Sequence, residues 1–231
     1  MKFIRHLSII VISIVLVLDA FLLPFQFLAF DEGYYYSLFK SLNVHQMIGI
    51  DESSLEQVTH ALVAYIDNGS GDVTLQVPIN GINTQFYNDK EIIHLSDIQK
   101  LVTLGRQFLI GMNLLLLIGF FILWWQNKEN NRAFFQTILK PFKLSFFLTI
   151  FTLAGLYTLY FVDFDWAFTK FHEIFFTNDL WLLDPRTDRL IMLMPIEFFT
   201  TFVVKWLTNV GILLAGYCFL GFFAARSLEN R

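Results

Sequence analysis

Cysteine and charge are both scarce in this chain of 231 residues. Its single cysteine, Cys218, lies inside a long apolar run, which excludes a disulfide framework. Charged residues make up 16% of the sequence and the formal net charge is −4, which argues against nucleic acid as a partner. Hydrophobic residues make up 55%, more than a soluble domain of this size carries. The composition therefore indicates an integral membrane protein.

Several common catalytic and metal-binding motifs are also absent. The sequence has no Gly-rich phosphate loop, no G-x-S-x-G turn of a serine hydrolase and no H-E-x-x-H pair. His94, Asp97, His172 and Glu173 are the side chains that zinc would use, but their spacing matches no tight ligand motif. We expect no metal and no other cofactor.

Four apolar segments are long enough to cross a bilayer, for which roughly 20 residues are needed. The first is too long for a signal peptide and has no small-x-small cleavage site, so we expect it to be retained. The expected fold class is an all-α membrane protein with four transmembrane helices and a small extracellular α+β cap between helices one and two. In chain order we expect transmembrane helix one (1–30, N-terminus cytoplasmic), the cap (31–97), helix two (98–126), a cytoplasmic loop (127–143), helix three (144–162), an extracellular aromatic loop with an interfacial helix (163–197), helix four (198–225) and a cytoplasmic tail (226–231).

The orientation follows from the charges of the loops. Residues 126–143 carry four basic side chains against one acid. Residues 31–97, by contrast, carry ten acids against two lysines, and residues 163–197 carry seven acids against three basic side chains. Because basic residues concentrate on the cytoplasmic side, both termini and the middle loop are predicted to be cytoplasmic. The two large loops then face outward.

The second of these outer loops is rich in aromatic residues around one histidine. If Trp166–Phe176 is helical, His172 shares a face with Phe168, Phe175 and Phe176, at spacings of three and four. Such an amphipathic helix is expected to lie in the membrane interface, with the imidazole on its apolar side.

A second histidine precedes the second apolar segment. Ser96-x-x-Gln99 has the pattern of a helix N-cap, which places His94 two residues before the cap. Since the positive end of a helix disfavours imidazolium, His94 is expected in its neutral, proton-accepting form. Both histidines are then predicted at the same depth on the outer face.

Three charged residues fall in or beside the apolar segments. Asp19 interrupts the first, and a charge there is expected to be paired inside the protein. Arg106 and Lys205 lie at comparable depths on helices two and four, and we predict a structural ion pair between Asp19 and Lys205. The alternative is that Arg106 or Lys205 places the polar headgroup of a substrate.

The cap contains one predicted helix and one predicted strand. Ser53-x-x-Glu56 reads as a capping box, and Asp67-Asn68-Gly69 ends the helix that follows it. Val73–Ile79 alternates as an edge strand with Pro78. His60, among polar residues of the helix, is expected at the surface.

Two short motifs resemble a known family. They are the His94-Leu95-Ser96-Asp97 turn and Phe171-His172-Glu173-Ile174-Phe175-Phe176, followed by Trp181-Leu182-Leu183-Asp184-Pro185. With four helices and an outer cap, the chain resembles the lipoprotein intramolecular transacylase (Lit) family of Gram-positive bacteria. The resemblance implies an enzyme of the bacterial cell membrane, active at its extracellular face. It would move the sn-2 acyl chain of a diacylglyceryl group to the α-amino group of the N-terminal Cys, giving a lyso-form lipoprotein.

The resemblance also implies that His94 and His172 are the catalytic pair. An α-amino group has a pKa of roughly 7.7–8.0, so it must lose a proton before it attacks an ester. We hypothesise His94 as the base and His172 as the acid, or the reverse. Weaker candidates, which would bind substrate or orient an imidazole, are Arg106, Glu173, Tyr87, Phe168, Phe171, Phe175 and Trp181. The expected partners are diacylglyceryl-modified lipoproteins and membrane lipid, with no nucleic acid, and we expect a monomer.

Three other functions are compatible with parts of the sequence. A lipid or lipoprotein hydrolase would use the same histidines with water as acceptor. A non-catalytic membrane assembly protein would make both histidines structural. A transporter would need polar residues in mid-membrane and an internal repeat, and helices two and three have almost no such residues.

Overall fold

The structure, a computed structural model, describes residues 2–229, with side chains for 2–130 and 132–216. Within these residues the chain is mostly helical, as predicted, with one two-stranded sheet. The helices are α1 (Lys2–Ala29), α2 (Glu32–Ser41), α3 (Val44–Ile48), α4 (Glu52–Asn68), α5 (Asp89–Asn127), α6 (Asn131–Val162), α7 (Phe164–Phe175), α8 (Arg189–Leu193) and α9 (Ile196–Glu229), and the strands are β1 (Gln76–Ile79) and β2 (Ile82–Gln85).

Four of these helices, α1, α5, α6 and α9, are long and apolar enough to cross a membrane, the number that the sequence predicted. Helix α6 begins at Asn131, within the residues predicted as a cytoplasmic loop. Helix α1 buries 39% of its most apolar stretch, against 22% or less for the other three. Large side chains on α5 and α6, such as Leu117, Phe147 and Phe151, are exposed. In a membrane protein these exposed side chains face lipid, which solvates them as well as a protein core does.

One compact unit comprises Met1–Phe25, Gln107–Val162 and Lys205–Arg231. Within this unit, helix α1 contacts α6 and α9 through hydrogen bonds to polar groups. The Ser13 hydroxyl donates to the Pro141 carbonyl at 3.3 Å, and Trp206 Nε1 donates to the Phe21 carbonyl at 2.8 Å. Hydrogen bonds of this kind hold helices together where no hydrophobic force separates protein from lipid.

The predicted ion pair between Asp19 and Lys205 is not formed among the described residues. Asp19 Oδ1 instead accepts a hydrogen bond from Asn113 Nδ2 of α5 at 3.0 Å. A neutral amide satisfies the carboxylate without the cost of burying a second charge. Arg106, the other basic side chain predicted at this depth, donates from its guanidinium to Asp67 and lies 4.3 Å from the centroid of the Phe30 ring.

The second compact unit comprises Gln26–Arg106 and Asp163–Val204. Its core includes a cluster of aromatic rings from α2 and the first turns of α9. The Phe198 ring lies 5.1 Å from Tyr35 and 5.2 Å from Phe39 between centroids, and Phe39 and Phe198 are almost fully buried. Offset and edge contacts of this kind add about 0.5–1.5 kcal/mol per pair to the stabilisation from burial.

Helix α4 and the hairpin follow the predicted pattern with different boundaries. Asp51, not Ser53, caps α4, because its carboxylate accepts from the Ser54 amide at 2.7 Å. The helix ends at Gly69, as its sequence predicted, with a left-handed φ of 79°. The strand predicted from Val73 begins only at Gln76 and pairs with β2.

Helix α5 begins at Asp89, so the predicted N-cap at Ser96 is wrong. Asn88 Oδ1 accepts from the Glu91 amide at 3.0 Å, while Glu91 Oε2 accepts from the Asn88 amide at 2.7 Å. This reciprocal arrangement is a capping box that satisfies two amides at the helix start. His94 therefore lies in the second turn of α5 rather than before it.

The same residues bind the loop before α8, an arrangement that we name the Asn88 clasp (Asn88, Lys90, Glu91, Asp188 and Leu190). Glu91 Oε1 accepts from the Leu190 amide, and Asp188 accepts from Asn88 Nδ2 at 2.9 Å and Lys90 Nζ at 3.2 Å. Burial by itself would raise the pKa of Asp188, but the groups that donate to it outweigh burial and lower the pKa to about 2. The clasp thus joins the start of α5 to the second outer loop.

Replacement of Asn88 by alanine is expected to destabilise this unit. Asn88→Ala removes both the cap and a donor to the buried Asp188, and loss of an N-cap alone costs about 0.5–2 kcal/mol. Thermal unfolding of the purified protein in detergent should therefore begin at a lower temperature than for the wild type. The matched control is Asn83→Ala in the exposed hairpin, and equal stability of the two variants would contradict the role of the clasp.

Candidate active site

His172 lies in the third turn of α7. The helix begins after Asp163, whose carboxylate accepts from the Trp166 amide at 2.8 Å, two residues earlier than predicted. His172 is only 8% exposed, whereas Phe171 and Phe175 of the same helix are about half exposed. The helix therefore turns its histidine inward and leaves part of its apolar surface outside.

Four aromatic rings surround the His172 imidazole. Trp181 is stacked on it at 4.8 Å between centroids, and Phe168, Phe171 and Phe176 lie at 4.2, 5.4 and 5.6 Å. The predicted face is thus confirmed for Phe168 and Phe176. Such surroundings exclude water and favour an uncharged ring.

A single hydrogen bond determines the tautomer of His172. Its Nδ1 lies 2.7 Å from the Phe168 carbonyl oxygen, four residues earlier. Because a carbonyl only accepts, Nδ1 carries the hydrogen and Nε2 presents a lone pair. Burial lowers the pKa of His172 below its ordinary value and outweighs the Phe168 carbonyl, which favours the imidazolium.

His94 faces the same group of rings. It is 4% exposed, and its ring centroid lies 6.2 Å from that of His172 and 5.1 Å from that of Phe176. Its Nδ1 has no hydrogen-bond partner among the described residues. The structure therefore brings together the two histidines that the sequence predicted as a pair, with Phe176 in contact with both.

A cavity of about 190 Å³ lies beside Phe176, the ring that is next to both histidines. Phe176 belongs to its wall, and one turn beyond His94 the Asp97 carboxylate joins that wall. Asp97 Oδ2 accepts from Asn178 Nδ2 at 2.9 Å, which ties α5 to the segment directly after α7. The lining of the cavity consists of Asp97, Lys100, Leu101, Leu104, Phe175, Phe176, Thr177 and Asn178.

Some of the weaker candidates for substrate binding lie at this site, and others lie away from the two histidines. Phe168, Phe171 and Trp181 contact His172, and Phe175 lines the cavity beside the Phe171 ring at 4.8 Å. Glu173 pairs with Lys170 of its own helix, and Arg106 with Asp67, so neither is bonded to an imidazole.

Tyr87 is fully buried against Phe86, with ring centroids 4.7 Å apart, and its hydroxyl has no partner among the described residues. Asp97 and Asn178 were not predicted to act together. The sequence named Asp97 only as a candidate zinc ligand and as the last residue of the His94-Leu95-Ser96-Asp97 motif, and its spacing of three residues from His94 places both on one helix face.

In chemical terms the site offers two shielded imidazoles for proton transfer. Among the residues that the structure describes, no group of three or more His, Cys, Asp or Glu side chains is arranged to hold a metal ion. The His172 imidazole has a defined lone pair, and His94 has a ring nitrogen with no hydrogen-bond partner in the part of the chain that the structure describes. Such a pair suits general acid–base chemistry on a buried polar group.

The model of the family described as lipoprotein intramolecular transacylase Lit matches residues 9–199, a range that includes both histidines. The chain belongs to this family. The Lit family therefore supplies the activity class of the chain, an acyl transfer within lipoproteins by a membrane-integral enzyme.

Solved structures of Lit from Bacillus cereus share the fold. One is 20% identical in sequence and covers 100% of both chains with a TM-score of 0.79. A variant of that protein with one histidine changed to alanine is 20% identical in sequence, covers 100% of this chain and 97% of its own, and has a TM-score of 0.74. A variant with arginine at the same position is 22% identical in sequence, covers 98% of this chain and 96% of its own, and has a TM-score of 0.71. A comparison with curated proteins finds no match.

The environment of His172 predicts how its ring titrates. Because burial lowers its pKa, the ring carbons of His172 should titrate with a midpoint below the ordinary value of about 6.5. NMR spectra of the protein labelled with ¹³C-histidine, with His172→Gln for assignment, measure this midpoint. It should return towards the ordinary value in the unfolded protein, and a folded-state midpoint at or above that value would contradict the buried environment.

Proposed function

We propose that this member of the Lit family moves the sn-2 acyl chain of a diacylglyceryl group to the α-amino group of the lipoprotein's N-terminal Cys. The reaction leaves a lyso-form, N-acylated lipoprotein. The observation that carries the proposal is the distance of 6.2 Å between the ring centroids of His94 and His172, which lie among aromatic rings. This pair is the acid–base machinery that the transfer needs.

His172 is the base in this proposal. An α-amino group with a pKa of roughly 7.7–8.0 is largely protonated near neutrality, and the Nε2 lone pair of His172 accepts its proton. The Phe168 carbonyl then stabilises the imidazolium through Nδ1, as the carboxylate does in a catalytic triad. The argument from sequence for His94 as the base used a position before the helix N-terminus, and His94 does not occupy that position.

His94 acts as the hydrogen-bond donor to the ester. A neutral imidazole donates one N–H to the carbonyl or glyceryl oxygen as negative charge develops there. The new amide N–C bond forms, and the ester C–O bond breaks. The ammonium loses two protons on its way to the amide N–H. One is released to solvent, and His172 transfers the other to the departing glyceryl oxygen, so the reaction needs no co-substrate and leaves both histidines as they began.

The proposed enzyme works as a monomer, because one chain provides both histidines and their aromatic walls. Donor and acceptor belong to one substrate molecule, so the enzyme must hold them in a reactive orientation. Well-oriented intramolecular reactions reach effective concentrations of about 10⁵–10⁸ M. The stacked Trp181 and the Phe176 ring are surfaces against which a lipidated cysteine is held.

Transfer of the acyl chain is testable by mass spectrometry of a reporter lipoprotein. A host that lacks N-acylation would express the reporter with the wild type, His94→Ala or His172→Ala. Wild type should give an N-acyl-S-monoacylglyceryl Cys of unchanged total mass. Each variant should slow the transfer about 10²–10⁴-fold, the usual contribution of a proton-transfer group.

His60→Ala is the matched control, because His60 is an exposed histidine of α4 that pairs with Glu32. It should retain the wild-type product. Loss of one acyl mass with the wild type would establish a hydrolase instead. Unmodified diacylglyceryl Cys with well-folded wild type would support a non-catalytic assembly role.

We further propose that the active site faces the outside of the cell membrane, since the acidic outer loops carry both histidines. In a Cys218→Ala background, Asn83→Cys should react in intact cells with a maleimide that does not cross membranes. Asn130→Cys, in the short basic loop, should react only after the cells are opened. The opposite pattern would reverse the orientation.

A further inference from the structure

We propose that Asp97 recognises the α-ammonium group of the substrate's N-terminal Cys in the cavity beside Phe176, the ring next to both histidines. This inference rests on the proposed function, since it names the group that brings the amine to the site. It adds a charged binding residue to a pair of uncharged imidazoles.

The position of Asp97 is suited to this role. It follows His94 by one turn of α5, on the same face, and lines the cavity whose wall includes Phe176, the ring next to both imidazoles. The Asp97 carboxylate is oriented, because Asn178 Nδ2 donates to Oδ2 at 2.9 Å. A carboxylate has about four lone-pair sites, so acceptor capacity remains on Oδ1.

The structure already has a primary ammonium at this carboxylate. Lys100 Nζ donates to Asp97 Oδ1 at 3.1 Å, and the Lys100 side chain is 66% exposed. An exposed ion pair of this kind contributes only about 0.2–1 kcal/mol, so an incoming ammonium displaces Lys100 readily. The lysine therefore occupies the place that we assign to the substrate's amine.

The rest of the cavity wall fits a lipidated N-terminus better than a free cation. Leu101, Leu104 and the two phenylalanines are apolar, whereas Thr177 and Asn178 are polar. An ammonium attached to a thioether-linked lipid presents both kinds of surface at once. The ammonium must lie near the pair, since His172 takes its proton before attack.

Binding of unreactive lipopeptides tests the proposal without relying on catalysis. Both probes carry ether-linked chains on the glyceryl-Cys, which cannot be transferred, and one has an α-amine where the other has a hydroxyl. Wild type in nanodiscs should bind the amine probe about ten-fold more tightly, as expected for a charge-assisted hydrogen bond. Asp97→Asn should abolish this preference and leave binding of the hydroxyl probe unchanged.

Two further variants make the result specific. Asp179→Asn removes a neighbouring exposed charge and should keep the preference of the wild type. Lys100→Met removes the competing ammonium and should tighten binding of the amine probe about two- to five-fold, from the strength of an exposed pair.

An amine preference that persists in Asp97→Asn would overturn the proposal. If that variant does not fold, unchanged binding of the amine probe by Lys100→Met has the same consequence. Failure of acyl transfer by a wild type that still shows an Asp97-dependent preference would refute the proposed reaction and not this binding site.

Discussion

The candidate site depends first on the buried carboxylate of Glu91. A buried charge is tolerated only when its oxygens are bonded, and the amides of Asn88 and Leu190 satisfy this one. The bond to Asn88 determines where α5 begins, and each residue of shift would rotate the helix by about 100°. Such a rotation would turn His94 away from Phe176. The bond to Leu190 holds the second outer loop against the same helix start. Glu91 therefore fixes the helical register of His94 and also the position of the loop that follows His172.

The second constraint is the apolar environment of the histidines. Aromatic rings keep His172 neutral by removing water, at the cost of a site with little charge to attract a substrate. Asp97 supplies the missing charge at the cavity, where its partners Asn178 and Lys100 satisfy it without entering the ring cluster. The two functions are thus separated along α5: recognition of a cation falls one turn away from the group that must remain uncharged.

The sequence predicted four apolar helices and an aromatic face around His172, because long apolar runs and a polar group among aromatics are local signals, whereas the pairing of His94 with His172 was implied by the family resemblance. It failed at the start of α5, where Asn88-x-x-Glu91 and Ser96-x-x-Gln99 both fit the capping pattern. In the structure Glu91 also accepts a hydrogen bond from the Leu190 amide, a contact between distant residues that a capping pattern does not reveal. The predicted partner of Asp19 was wrong for a similar reason. Whether Asp19 meets Asn113 or Lys205 depends on how each helix is rotated about its axis, which the sequence does not reveal. The coupling of Asp97 to Asn178 was likewise invisible, because a pairing between distant polar residues leaves no periodic pattern.

In the proposed reaction, the acceptor is chosen by access rather than by an additional catalytic group. The same two imidazoles would activate water as readily as an amine, so a hydrolase and a transacylase differ only in what reaches the acyl carbon. An amine on the same molecule has an effective concentration of about 10⁵ M or more, far above that of any diffusing acceptor. Trp181, Phe168 and Phe176 cover the rings of the pair, and a lipid held against them displaces the remaining water. Widening this aromatic wall would then turn transfer into hydrolysis without any change to the histidines themselves.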